Sequence, residues 1–144
     1  MSGFWSWAFR LLYRILALID PLVRAIWRRF GVGNVVELNV TTRSGTGTRS
    51  RLVGLLRVGS RSYFGNPNGH VGWTRDLAAA GGGSYRWPRA SASDFRAILL
   101  PSGEEREQAI RATWQHPFPG NAIYRLARGH IRRRGVFFRV ESLG

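Results

Sequence analysis

Arginine supplies most of the chemistry this chain has to offer. The turn Arg43-Ser44-Gly45-Thr46-Gly47-Thr48-Arg49 is built of small residues between two guanidiniums, and Arg51 follows two positions later. Guanidinium forks and the free backbone N–H groups of such a turn suit phosphate and carboxylate oxygens. The same residues also fit a plain solvated turn. Asn66-Pro67-Asn68-Gly69 is a dense turn signal. Trp73-Thr74-Arg75-Asp76-Leu77 then opens a short helix, whose N-terminus favours anions. No catalytic triad is visible. His70, His116 and His130 are scattered and have no clustered partners, so no metal site is expected. The absence of cysteine excludes disulfides, cysteine–zinc sites, iron–sulfur clusters and thiol catalysis.

The 144 residues carry 22 basic against 8 acidic side chains, a formal charge of +14, and every basic residue is Arg. That balance points to an anionic partner: a phosphate-rich ligand, an acidic membrane surface or nucleic acid. Nucleic acid is the least favoured, since no RRM, KH or helix-turn-helix pattern is present. Arg132-Arg133-Arg134 reads instead as a solvated turn or a phosphate contact. The apolar content of 44% is that of a globular chain, and the length suits one core.

Phe4 to Phe30 has the most unusual local composition. At helical spacing Arg10, Arg14, Arg24 and Arg28 fall within an arc of about 80°. The rest of the circumference carries Trp, Phe, Leu, Ile and Val. Asp20-Pro21 reads as a helix start, which predicts two helices or one kinked at Pro21. Arg10, Arg14, Asp20 and Arg24 interrupt the segment too often for a membrane span. Arg inside the apolar stretch also disfavours a secretory signal. An aromatic, aliphatic and Arg-striped helix suits a membrane surface, with Trp5, Trp7, Arg10, Arg14, Arg24, Trp27 and Arg28 as its contacts. The alternative is a helix that packs on a sheet or on another chain. The chain thus divides into an amphipathic N-terminal helical segment, residues 1–33, and a β-rich domain, residues 34–144, which is expected to be the cofactor-binding part.

The second part reads mainly as strands: 35–42, 51–58 and 61–65 as a meander, then 84–87, 95–100 and a closing strand at 136–141. Helices are expected at about 73–80, stopped by Gly81-Gly82-Gly83, at 101–115 with Ser102 and Glu105 at capping-box spacing, and at 121–128. Closely spaced strands predict a largely antiparallel sheet that closes toward a barrel.

The order of these motifs resembles the deazaflavin-dependent nitroreductase and quinone reductase family, across about Val35 to Leu143. The resemblance is carried by the Ser-Gly turn with its flanking Arg, the Asn66–Gly69 turn and the Trp73 helix start. It implies an α+β split β-barrel, mostly antiparallel, and coenzyme F420, with FMN or no cofactor as the alternatives. On that resemblance Arg43, Ser44, Arg49 and Arg51 would line the phosphate and acidic tail. Asn66, Pro67, Asn68 and Gly69 would lie along the ring, since Gly and Asn let backbone approach a flat ligand. Trp73, Arg75 and Asp76 would border the same pocket, Asp76 standing where the family often has Asn. His70, Phe118 and Tyr124 would face the acceptor, with Tyr124 as the proton donor.

The resemblance implies hydride transfer from the reduced cofactor to a quinone-like or nitro acceptor. The N-terminal helix would place that chemistry on the cytoplasmic face of an anionic membrane, where a lipid-like substrate resides. Pairing of chains stays open. The competing reading keeps the fold without the chemistry, as a cofactor-free lipid or fatty-acid binding protein, and Asp76 is the residue that favours it.

Overall fold

The computed structural model describes residues 2–143. Helix α1 (Ser2–Phe30) leads into β1 (Val35–Thr41), β2 (Thr48–Gly54), β3 (Leu56–Val58) and β4 (Arg61–Asn66). Then come α2 (Gly72–Ala80), β5 (Gly82–Arg86), β6 (Ser93–Leu99) and α3 (Glu104–Arg111). A 3-10 turn (Ala112–Gln115), α4 (Gly120–Leu126), α5 (Arg128–Arg134) and β7 (Val136–Ser142) complete the described residues. The strands form one antiparallel sheet in the order β2-β1-β5-β6-β7-β4-β3.

That order explains the shape. β2 and β3 are separated in sequence by Leu55 alone, yet they occupy opposite edges of the sheet. The sheet must therefore curl until its edges adjoin at Leu55. Asn34 pins the seam: Leu55 N donates to its backbone O (2.9 Å), and its Nδ2 donates to Leu55 O (3.2 Å). The chain is an α+β split β-barrel. The expected three-strand meander is not formed, because a continuous strand from 51 to 58 would keep both halves on one edge. The break at Leu55 sends the chain across the seam.

Alternation along the strands gives each face its own core. Val36, Leu38, Val40, Phe64, Phe95 and Phe138 fill the barrel with Trp73 and Leu77 of α2. Tyr63 and Phe137, one residue out of phase, face outward under Ile110, Ala127, Ile131 and Phe9 of the helices. The helices thus cover one side of the barrel, and α1 belongs to that cover.

Local signals account for most boundaries. Gly81 (φ 74°) ends α2 in the left-handed region. Gly82 and Gly83 do not prolong the stop as expected; they begin β5, where a side chain would strike the Phe95 and Asn39 carbonyls. The capping box at Ser102 does not form: Gly103 is the N-cap and has no side-chain cap bond. Glu105 is drawn away to Tyr63, Arg61 and Arg139. Arg132 to Arg134 lie in α5 rather than in a turn, and Arg132 pairs with Glu107 at 2.7 Å.

Helix α1 runs without interruption through Pro21. Asp20 does not cap a second helix; its carboxylate accepts from Arg24 one turn on (2.8 Å). Trp27 and Arg24, expected among the membrane contacts, face the barrel instead. Trp27 is 1% exposed, its Nε1 donates to Val35 O at 2.9 Å, and Arg86 lies over its ring. Arg24 also bonds Glu37 and Ser50. The physical reason is that a helix beside a sheet edge must bury one apolar stripe there, and Phe9 and Trp27, eighteen residues or five turns apart, share that stripe. Trp5 is half-buried against the same core. The opposite side keeps Phe4, Trp7, Leu11, Ile15, Leu18 and Leu22 exposed, beside exposed Arg10, Arg14 and Arg28. Among the described residues no helix is long and apolar enough to cross a membrane.

Candidate functional site

A cavity of about 350 Å³ opens where the barrel is split, roofed by α1. Leu12, Tyr13 and Leu16 form the roof; Arg51 to Gly54 of β2 form one wall. Asn66 and Pro67 at the end of β4, with Trp73, form the second wall, and the segment from His116 to Tyr124 closes the third. Arg51 reaches this edge because it pairs with Leu38, whose side chain points into the barrel. Arg49, opposite Val40, shares that face and reaches Gly72 at the start of α2. Both guanidiniums therefore stand where the inner face meets the split.

Among the described residues no carboxylate is bonded to Arg51; Asp20 acts on it only through space, and burial pulls its pKa below the ordinary value. It stays charged, so it is a cation in partly dry surroundings without a bonded anion. Tyr13, held by burial in its neutral form, donates its hydroxyl to Asn66 Oδ1 at 3.0 Å. That bond orients the turn against the roof. Burial likewise keeps the Tyr124 hydroxyl protonated.

His116 is the residue that sequence reading missed here. A methyl group at Gly54 would overlap its ring, so the glycine makes room for it. Asn34 Nδ2, already turned to Leu55 O, also faces His116 Nδ1 at 3.4 Å. An amide N–H can only donate, so Nδ1 accepts and the proton sits on Nε2. Burial pulls the imidazole down to about 4, which keeps it neutral. Its ring lies 4.6 Å from that of Tyr124. The signal that could have found it is Gly54 inside a strand, which marks a close approach.

The expected site residues separate into three groups. Arg51, Asn66, Pro67, Trp73, Phe118 and Tyr124 line the cavity. Arg43, Ser44 and Asp76 do not. Asp76 is 3% exposed and accepts from Arg43 through both its backbone N–H (3.1 Å) and Nε (2.9 Å). That pair ties the β1–β2 turn to α2 and is structural. Ser44 bonds Thr42 and Thr46 within the turn. Asn68 is held by His130, whose Nε2 lies 2.8 Å from its Oδ1. Gly69 completes the turn at φ 82°. His70 meets Thr74 (3.2 Å) on the surface rather than the acceptor side, and Arg75 is exposed. Replacing Asp76 with Asn keeps both acceptor contacts and removes the charge. We expect a stability loss of about 1–2 kcal/mol by urea unfolding, the difference between charged and neutral hydrogen bonds. Ligand affinity in the cavity should change less than threefold.

No protein-family model matches the chain, and no curated protein matches its sequence. Solved structures do match. An F420-H2 dependent reductase, FDR-A, aligns over 75% of this chain and 94% of its own, at 19% identity and a TM-score of 0.55. HutZ, a heme storage protein from Vibrio cholerae, aligns over 88% and 91%, at 12% identity and 0.57. A pyridoxamine 5'-phosphate oxidase-related, FMN binding protein from Nostoc punctiforme aligns over 86% and 79%, at 8% identity and 0.50. What these proteins share with the chain is the split-barrel fold.

Proposed function

We propose that this chain is an oxidoreductase that holds a flavin-type cofactor, a deazaflavin such as coenzyme F420 or else FMN, in the cavity under α1. The observation that carries the reading is the lining: a slot walled by Trp73, Tyr13, Phe9 and Pro67, with at its rim the Arg51 guanidinium, to which no carboxylate is bonded among the described residues. Those residues fit a flat ring with an anionic extension. Ring stacking and apolar contact would come from Trp73 and the Asn66-Pro67 turn, and Arg51 with Arg49 would meet the phosphate or acidic tail. When bound, such a cofactor supplies the hydride. The chain's own part is to hold, orient and exclude water. Tyr124, protonated at its hydroxyl, would deliver a proton to the acceptor from the third wall, and Phe118 would cover the acceptor's outer side. The acceptor class we propose is a quinone-like or nitro compound.

The likeness to FDR-A and to the FMN binding protein supports the cofactor class. The reading as a lipid or fatty-acid carrier rested on Asp76, whose charge is balanced by Arg43 outside the cavity and so gives no reason to exclude an anionic ligand. The exposed stripe of α1 and its Arg flank support a peripheral place on the cytoplasmic face of an acidic membrane.

The test is a fluorescence titration with deazaflavin and with FMN. Arg51→Gln should weaken the preferred ligand by about 1.5–3 kcal/mol, or roughly 10- to 150-fold, the range for a hydrogen bond to a charged group. A cofactor trimmed to its ring should lose less. Unchanged binding of both forms, or no binding of either cofactor to the natural chain, would overturn the reading.

A further inference from the structure

A second recess, of about 620 Å³, lies between the 3-10 turn and α4. Its rim carries Trp114, Phe118 and Leu126, which are 68%, 80% and 75% exposed. Large apolar side chains this bare, and grouped, mark a contact surface. Two guanidiniums, Arg125 and Arg128, lie in the same recess. Among the described residues neither pairs with a carboxylate, and Arg125 is exposed. Two guanidiniums without a carboxylate beside an apolar rim suit an anion as well as apolar cover.

The chain itself offers little to fill it. Of the eight acidic residues, Asp20, Glu37, Asp76, Glu104, Glu105, Glu107 and Glu141 are already paired with Arg side chains. A second copy would bring only Asp94 among its acidic side chains. An anion from a different kind of molecule therefore suits the recess better than a second copy, and the apolar rim suits an amphiphile. Phe118 lines both this recess and the cavity under α1, so whatever covers the one stands at the mouth of the other.

We propose that the recess is a lipid-headgroup site: Arg125 and Arg128 hold the phosphate of an acidic phospholipid while Trp114, Phe118 and Leu126 enter the acyl boundary. The site sets the mouth of the cavity, at Phe118, against the bilayer. This inference rests on the peripheral-membrane reading, but it assigns a contact separate from α1. A lipid-like acceptor would then pass from the acyl layer to the cavity along Phe118 without crossing water.

The natural chain has no cysteine, which permits single-site labelling without a background. Leu126→Cys, Leu18→Cys and Ala90→Cys would each carry a polarity-sensitive fluorophore and be mixed with phosphatidylcholine vesicles, with and without phosphatidylglycerol. The expected result is a blue shift at positions 126 and 18 on acidic vesicles, and none at 90. In the Leu126→Cys background, Arg125→Gln with Arg128→Gln should cut partitioning on acidic vesicles by about 30-fold, at roughly 1 kcal/mol per basic residue. Arg125→Lys with Arg128→Lys should keep most of it, which separates loss of charge from loss of folding. A response at 18 without one at 126 overturns the headgroup site and leaves the α1 contact standing. Silence at both overturns both. A shift at 126 that grows with protein concentration in the absence of vesicles, or that ignores phosphatidylglycerol, means a second copy or plain apolar adsorption and also overturns the proposal.

Discussion

Replacing Trp27 with alanine should destabilise the protein by about 3–5 kcal/mol, the usual cost of emptying a fully buried aromatic site. The side chain is almost completely enclosed and bonded to Val35 O at 2.9 Å, and it sits under the Arg86 guanidinium. Its loss would leave a cavity and also an unmet carbonyl at the start of β1. Helix α1 would then be held mainly through Phe9, so its C-terminal half should lose protection in hydrogen exchange before the barrel does. Trp7, 55% exposed on the far side of the helix, is the control: Trp7→Ala should change stability by no more than about 0.5 kcal/mol. Urea unfolding of the two variants side by side measures how far α1 is core and how far it is surface. Equal small losses would mean that the helix is merely laid against the barrel.

The second large effect concerns acid. His116 is pulled by burial from its ordinary 6.5 to about 4. The unfolded chain therefore binds this proton more tightly than the folded one between those values. Stability is full above pH 6.5, falls as the pH drops, and stops falling on this account once the folded imidazole is itself protonated. A shift of this size corresponds to about 3 kcal/mol. His130 is shifted in the same direction, by burial first and by Arg134 and Arg133 next, so its contribution has the same sign. The comparison that isolates His116 is His116→Gln, which should flatten most of the loss between pH 6.5 and 4 in denaturant melts. If the slope survives the substitution, His130 or a carboxylate carries it. Protonation would also place a donor on Nδ1 facing the Asn34 amide, so the seam at Leu55 is where the acid-induced opening should begin.

The residues of the site were partly legible in advance for identifiable reasons. Asn66, Pro67, Trp73 and Phe118 lie in turns or at element ends, where side chain and backbone chemistry are visible without a fold, while Arg51 inside β2 and Tyr124 inside α4 were marked by their residue type and place in the motif order. Asp76 was visible as an oddity, but its partner was not, because Arg43 is thirty-three residues away and the turn that carries it could have pointed either way. His116 and Asn34 were invisible as a pair. Their meeting depends on Gly54, on the break at Leu55 and on the curl of the sheet together.

By itself the sequence determined six strand segments, the Gly81 stop, the amphipathic N-terminal helix and an excess of guanidiniums too large for the chain to neutralise; the seventh strand came from the break at Leu55. These are properties of spacing and composition, and they act within a few residues. Only the tertiary structure decided that β2 and β3 lie at opposite edges, that α1 roofs the cavity between them, and that one helix serves both core and surface. A sheet order is fixed by contacts between residues far apart, and no local period encodes which edge a strand will join. The same is true of α1: Phe9 and Trp27 differ from Trp7 and Leu18 only in azimuth, and azimuth acquires meaning once the barrel stands beside the helix.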